Sequence, residues 1–411
     1  MTEAMKEPMK APVDETMKEA IVAWLRARRQ ALKETYAELH AIAEASWQEH
    51  RTTHYLQQAL DGMGVAYERF PAHTGLVARW KGSAGGDDAF QRTGAVVALR
   101  TDIDALWQRV DGVDRANHSC GHDAHMTMVL YAVKALQAVG FVPVRELRVL
   151  FQPAKEVGEG ALKLLEADCL ADVDYLLGIH LRPAKELAYG QVSSAIYHGA
   201  CAVLEGSVTG LQAHASRPDD GINAIEALAD IIAAVREVSH AFSDKPASCK
   251  VTKLHVPNES SNVIPDYGAF TIDIRAQTNE AMDALMSELE RAIHSAGAAY
   301  GSAVEARLKS RIAAARLDPH LEAVVGAVIS DLLGAAAHAE PPVSPGGEDF
   351  HFYALGKPGL HATMIGLGCD LLPGLHHPDM RFNLDALEVG AAVLALSAAR
   401  LCAGLGEEAG R

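Results

Sequence analysis

With 411 residues, 49% of them hydrophobic and 22% charged, the chain has the composition of a soluble globular protein. It is too long for one ordinary core, so two domains are expected. Its formal charge of -16 argues against a nucleic-acid partner, whose phosphates would want a basic face, and no apolar run reaches the ~20 residues a membrane-spanning helix needs.

The first residues, MTEAMKEPMKAPV, are polar and mixed in charge and lack the apolar block of a signal peptide, so residues 1–13 read as a flexible extension. Six cysteines, at 120, 169, 201, 249, 369 and 402, form no paired framework; reduced thiols in a cytoplasmic chain fit that scatter. From 15 to about 63, apolar residues recur at helical spacing: Ile21, Trp24 and Leu25, then Leu39, Ile42 and Ala43, then Leu56, Leu60 and Met63. Short strands are predicted over 65–70 and 76–81, followed by a Gly- and Asp-rich loop over 82–93. Residues 94–100, GAVVALR, are a continuous apolar run of the kind buried on both faces of a parallel sheet, and they lead into Thr101-Asp102-Ile103-Asp104.

A helix follows over 126–139, with Asp123 as its cap. Then come a strand over 147–152, a helix starting over 161–166, and a strand over 175–180 that ends on His180. Between about 199 and 308 the rhythm changes to strand 201–209, helix 222–240, strands 249–256 and 268–276, helix 278–297 and strand 303–308. This β-α-β-β-α-β order is the split βαβ arrangement and reads as a self-contained insertion. Helix-then-strand alternation resumes from about 318, with a strand over 361–366 and a last helix over 384–401.

The most concentrated chemistry lies in residues 118–125, HSCGHDAH, where one thiol and three imidazoles fall between a predicted strand and a predicted helix. A soft thiolate and a borderline imidazole two residues apart suit Zn²⁺ or a similar ion; a His-rich surface loop is the plain alternative. In an open α/β sheet, ligands bind beyond the carboxyl ends of the strands. Glu156 lies just past strand 147–152, His180 ends strand 175–180, and His376 and His377 follow strand 361–366. All would therefore meet the Cys120 and His122 loop on one rim. Taken singly, His180 is also readable as a core histidine and Glu156 as a helix-start carboxylate.

LRTDIDAL (99–106), HSCGHDAHMTMVL (118–130), FQPAKEVGEGA (151–161), GIHLRP (178–183), GLQAHASRPDDGINAI (210–225), SNVIPD (261–266), GGEDFHFY (346–353) and LHHPDMRF (375–382) span almost the whole chain in order. In these stretches the sequence resembles the M20 metallopeptidases, specifically the amidohydrolase branch with aminoacylase-like, hippurate and auxin-conjugate hydrolases. The resemblance implies an α/β fold. Its discontinuous metal-binding catalytic domain, over 14–198 and 309–411, has a mainly parallel central sheet. A ferredoxin-like lid and dimerisation domain over 199–308 interrupts it. The implied metal ligands are Cys120, His122, Glu156, His180 and His376, with His376 preferred to His377 by the family pattern. They would hold one or two divalent ions; Zn²⁺ fits the thiolate, and Mn²⁺ is common in the resembling branch.

The same resemblance gives Asp102, Asp104 and Asp123 supporting positions around the metal loop, with plain turn chemistry open for the first two. His118 and His125 read as support rather than ligands. His214 would reach the partner's site in a homodimer and donate to the developing oxyanion. Asn262 and Arg275 would contact substrate polar groups, commonly a carboxylate, although Arg275 also reads as a surface charge at a strand end. Gly346 and Gly347 would let backbone approach the substrate, while Glu348 and Asp349 stand between substrate loop and support.

One position departs from the family. Where it carries two successive glutamates after Gln-Pro-Ala, a general base and then a ligand, this chain has Lys155-Glu156. An ordinary lysine is already protonated at neutral pH. Three readings stay open: a lysine made basic by burial beside metal, an ammonium replacing one ion, or an inactivating substitution. The function expected is hydrolysis of the amide C–N bond of a small N-acyl amino acid or related conjugate. Deamination of another C–N substrate such as an aryl amine, and a catalytically silent metal-binding homologue, are the alternatives.

Overall fold

The computed structural model describes residues 14–82 and 94–404; the extension 1–13 and nearly all of the loop 82–93 lie outside the described residues. The chain divides into two compact units. One is drawn from Met1–Ile196, Arg316–Pro342 and Phe352–Arg411, the other from Tyr197–Ala315 and Val343–His351.

The first unit is built on an eight-stranded sheet. Across it run Ala66–Arg69, Leu76–Lys81, Glu146–Gln152, Val96–Asp102, Tyr175–Pro183, His361–Leu371, Val192–Ser193 and His338–Ala339. The four strands from Glu146–Gln152 to His361–Leu371 are mutually parallel. Every residue of Val96–Asp102 and Glu146–Gln152 is buried: their apolar residues are covered on both faces, and the charged ones are paired, Arg100 with Asp102 and Arg148 with Glu146. The helices His122–Ala138 and Ala386–Cys402 are buried nearly all round and pack against each other. Glu15–Arg26, Arg29–Ala41 and His50–Met63 instead bury one stripe each.

The second unit runs Ala200–Thr209, Ala224–Ala241, Ala247–His255, Tyr267–Ala276, Asn279–Ala299 and Ala303–Ile312 in chain order. Its four strands form an antiparallel sheet in the order third element, fourth, first, last, the split βαβ arrangement. Alternate residues of Ala200–Thr209 and Tyr267–Ala276 are buried, and the two helices supply Leu228, Ile231, Val235, Leu285 and Leu289 to the same core. Side chains of Asn223 and Thr278 cap those helices, satisfying amide groups that the helix itself leaves unpaired.

Several expectations are corrected. His180 lies inside its strand, which runs on to Pro183. Asp123 is not the helix cap: Gly121 takes that place with φ 86, and Asp123 sits in the first turn. The segment Val343–His351, placed by sequence with the catalytic part, packs with the second unit, where Val343–Ser344 pairs in parallel with Tyr197–His198. A hairpin of Leu106–Val110 and Val113–Asn117 was not expected at all. Its turn residues Asp111 and Gly112 both have positive φ, 51 and 80, as a two-residue hairpin turn demands. No helix among the described residues is long and apolar enough to cross a membrane.

Leu99 is fully buried at the middle of this frame, whereas Leu308 on the second sheet is 48% exposed. Leu99→Ala should cost about 2–5 kcal/mol in urea unfolding, and Leu308→Ala should change stability by about 0.5 kcal/mol or less.

Candidate metal centre

The carboxyl ends of the four parallel strands and the loops beyond them bring five donors together. Residues of left-handed backbone flank them: Gly121 between Cys120 and His122, Ala154 before Lys155 (φ 52), and His376 itself (φ 64). At Gly121 the requirement is steric as well as conformational, since a Cβ would come within 2.8 Å of Leu181 Cδ1. For Ala154 and His376 the conformation costs on the order of 1 kcal/mol or more and is held by hydrogen bonds. Ala154 N–H donates to Glu49 Oε1 at 2.8 Å. His376 N–H donates to Ser119 O at 2.7 Å, and His376 O accepts from Gln108 Nε2 at 2.7 Å.

The hub is the buried Cys120 sulfur. His376 Nε2 lies 3.3 Å from it, His180 Nε2 3.6 Å and Lys155 Nζ 3.6 Å. His122 and His180 are oriented through their other ring nitrogen: His122 Nδ1–H donates to Asp104 O at 2.7 Å and His180 Nδ1–H to Leu181 O at 2.8 Å. Because a carbonyl oxygen can only accept, Nδ1 carries a proton in both, and Nε2 is the atom each ring has to offer to a metal.

Two donor sets share the sulfur, Cys120–His122–His180 and Cys120–Glu156–His376, each with its donor atoms within 4.8 Å of one another. A third set, Asp102–His122–His125, meets the same distance criterion, but His125 is engaged on both sides. Its Nε2 accepts from Leu181 N–H at 3.1 Å and its Nδ1–H donates to Asp102 Oδ1 at 2.8 Å. The buried atoms His122 Nε2 and Glu156 Oε1 lie 3.4 Å apart and have no hydrogen-bond partner among the described residues. Buried polar atoms left in this way each cost about 1–3 kcal/mol, and a cation between thiolate, imidazoles and carboxylate would satisfy them. The donor types fit a divalent transition ion.

The electrostatics are those of a tightly packed charge cluster. Burial and Glu156 push the Cys120 thiol up, but Lys155 and His122 outweigh them and hold it below its ordinary value. Burial opposes charge on His122, yet Asp102 and the Cys120 sulfur hold that imidazole well above the usual range; ligation would displace its proton. Burial, together with His125 and Lys155, holds His180 well below. The hydrogen bond to Cys120 raises His376.

The supporting residues divide in a way the sequence did not announce. Asp104 orients His122 through its backbone oxygen, while its carboxylate accepts from Ser46 Oγ at 2.7 Å and from Glu156 N–H at 2.9 Å. Asp102 serves His125 and is paired with Arg100 at 2.7 Å. Asp123 Oδ2 meets His40 Nδ1 at 2.7 Å. Ser46, Glu49, Gln108 and His40 were missed by sequence reading because none belongs to a recognisable motif, and Arg100, although inside LRTDIDAL, was read only as part of a buried strand.

His214, Asn262, Arg275, Gly346 and Gly347 belong to the second unit. His214 is exposed, and Ser216 N–H donates to its Nδ1 at 3.1 Å, so the ring proton is on Nε2. The bridge of His214 with Val263, and Ala215 N–H donating to Asn262 O at 2.9 Å, bring His214 and Asn262 together. Arg275 faces Cys201 across the sheet, and its guanidinium holds Asp273 by two hydrogen bonds of 2.8 Å. Gly347 abuts the same cysteine: a Cβ there would lie 2.8 Å from Cys201 Sγ.

The chain is 30% identical over 380 residues to the IAA-amino acid hydrolase ILR1-like 4 of Arabidopsis thaliana, covering 88% of this chain and 83% of that protein. It is 28% identical to an N-acetylcysteine deacetylase of Bacillus subtilis, over 86% of this chain and 92% of the relative. Among solved structures, a dinuclear metal-binding M20 peptidase of Bacillus subtilis superposes with a TM-score of 0.75 at 25% identity, over 91% of this chain and 98% of that one. A protein of methicillin-resistant Staphylococcus aureus shares the fold with a TM-score of 0.82 at 22% identity, over 93% and 99%. The profile of peptidase family M20/M25/M40 matches residues 98–400, and the chain belongs to that family of metal-dependent hydrolases.

Proposed function

We propose that this M20 hydrolase cleaves the amide C–N bond of a small N-acyl amino acid or related conjugate, using divalent metal held by donors among Cys120, His122, Glu156, His180 and His376. The observation that carries the reading is the single thiolate shared by two donor sets, with orphaned His122 Nε2 and Glu156 Oε1 between them. The similarity to an N-acetylcysteine deacetylase and to an IAA-amino acid hydrolase supports the substrate class. When bound, the ion supplies Lewis acidity, polarising a carbonyl and making water more acidic. The thiolate and imidazoles favour Zn²⁺, and the carboxylate also accommodates Mn²⁺.

The chain's own residues supply the rest. Asp104 holds both His122 and the Glu156 amide, so donors on two loops move as one body. His214, exposed and with its proton on Nε2, is suited to donate to the oxyanion. We assign it that role from a partner chain, in a homodimer joined through the second unit. Asn262, held beside His214, would contact substrate polar groups. Arg275 would take a substrate carboxylate, in competition with Asp273. Gly346 would leave room for substrate against backbone, whereas the space beside Gly347 is filled by Cys201 and Ile312.

The test is turnover of a panel of N-acyl amino acids and aryl amides by the metal-loaded chain. Hydrolysis should stop on chelation, return on adding Zn²⁺ or Mn²⁺, and be absent in Cys120→Ala, which removes the donor common to both sets. Bound metal without turnover of any panel member would replace this reading by the silent scaffold that Lys155 favours.

Steady-state kinetics test His214 separately. His214→Ala should lower kcat by about 10²–10³-fold with KM little changed, as loss of one oxyanion donor does. An unchanged kcat would remove His214 from the reaction.

A further inference from the structure

Lys155 reaches into one of the two donor sets. Its side chain is 7% exposed, and its Nζ lies 3.7 Å from Glu156 Oε1 and 3.6 Å from Cys120 Sγ. These are two of the three donors of the Cys120–Glu156–His376 set. The third, His376 Nε2, lies 3.7 Å from Glu156 Oε2 and 3.3 Å from the same sulfur, so an ion seated there would share its thiolate and its carboxylate with an ammonium. We propose that the Lys155 ammonium stands in for one of the two divalent ions, and that this chain binds a single ion at Cys120, His122 and His180. This rests on the metallohydrolase reading above.

Charge and ligand chemistry favour the same seat. The thiolate and the Glu156 carboxylate supply two negative charges, while Asp102 is already matched by Arg100. With one dication the cluster of thiolate, carboxylate and ammonium keeps a single net positive charge; with two it carries three, in surroundings where uncompensated charge is poorly solvated. The Cys120–His122–His180 set has one thiolate and two imidazoles, both fixed by Nδ1–H bonds to backbone carbonyls. Three such donors are the protein share of an open tetrahedral site, with the fourth position left for water or substrate. The other set draws on the half-exposed His376 and on a carboxylate that the ammonium already contacts.

Counting metal tests this without reference to turnover. The full chain and the variants Lys155→Glu, His180→Ala and His376→Ala would be loaded with Zn²⁺ or Mn²⁺, desalted and measured by inductively coupled plasma mass spectrometry, with circular dichroism confirming each fold. The expected result is one ion per native chain, kept in His376→Ala, lost in His180→Ala and rising to two in Lys155→Glu. Two ions in the native chain would overturn the inference and leave the metallohydrolase reading standing. No ion in the native chain would overturn that reading and the inference with it. An ion lost in His376→Ala but kept in His180→Ala would overturn the seat assigned. A folded Lys155→Glu that stays at one ion would overturn the ammonium as the cause. If Lys155→Glu does not fold, the native count and the two histidine variants decide.

Discussion

The structure of the site depends on bringing several polar groups against one buried sulfur. Cys120 Sγ is approached by His180 from a strand, by Lys155 from the loop after a second strand, and by His376 from the loop after a third. None of these groups is comfortable when buried alone, because desolvation penalises each charged form. Together they compensate one another, so the arrangement is stable only as a set. The parallel sheet makes this possible by ending its strands on one edge, and the left-handed residues Gly121, Ala154 and His376 turn the chain sharply enough for the donors to converge.

Behind the donors lies a second group of buried acids that are engaged by hydrogen bonds and ion pairs. Glu49 accepts from Ala154 N–H and from the Thr74 hydroxyl, and burial raises its carboxyl above the usual range. It thereby holds the turn that presents Lys155 and Glu156. Asp104 joins Ser46, His122 and Glu156, and Asp102 joins Arg100 to His125. Arg100 in turn donates to Gln152 Oε1, which also accepts from Tyr353 Oη. A donor displaced by even a fraction of an ångström would strain this network, which is how second-layer hydrogen bonds tune a metal site.

Some of this was legible in the chain and some was not. The buried strand Val96–Asp102 announced itself through the apolar run that leads it, as a strand covered on both faces tends to. The buried Arg100, Arg148 and Gln152 in it and its neighbour Glu146–Gln152 are tolerated only because they are paired. The split βαβ unit was legible because its strands alternate in burial and its helices carry one apolar face. The hairpin Leu106–Asn117 escaped notice because its exposed residues show little apolar alternation, though the Asp111-Gly112 pair was a turn signal in plain view. Asp123 read as a cap because acids favour helix starts, but the backbone needed a left-handed residue there and Gly121 supplies it.

By itself the sequence determined the kind of chemistry: a Cys-Gly-His loop, a lysine where a base glutamate is expected, and the order of elements that sends Glu156, His180 and His376 to one side of a sheet. Those are matters of residue type and strand periodicity, which are local. Only the tertiary structure decided that the donors divide into two sets with one shared sulfur, that His125 is excluded by its own hydrogen bonds, and that the Lys155 ammonium lies against the thiolate and the Glu156 carboxylate. Each of these turns on distances between residues far apart in the chain, and such distances are set by packing and by strand register rather than by spacing along the sequence.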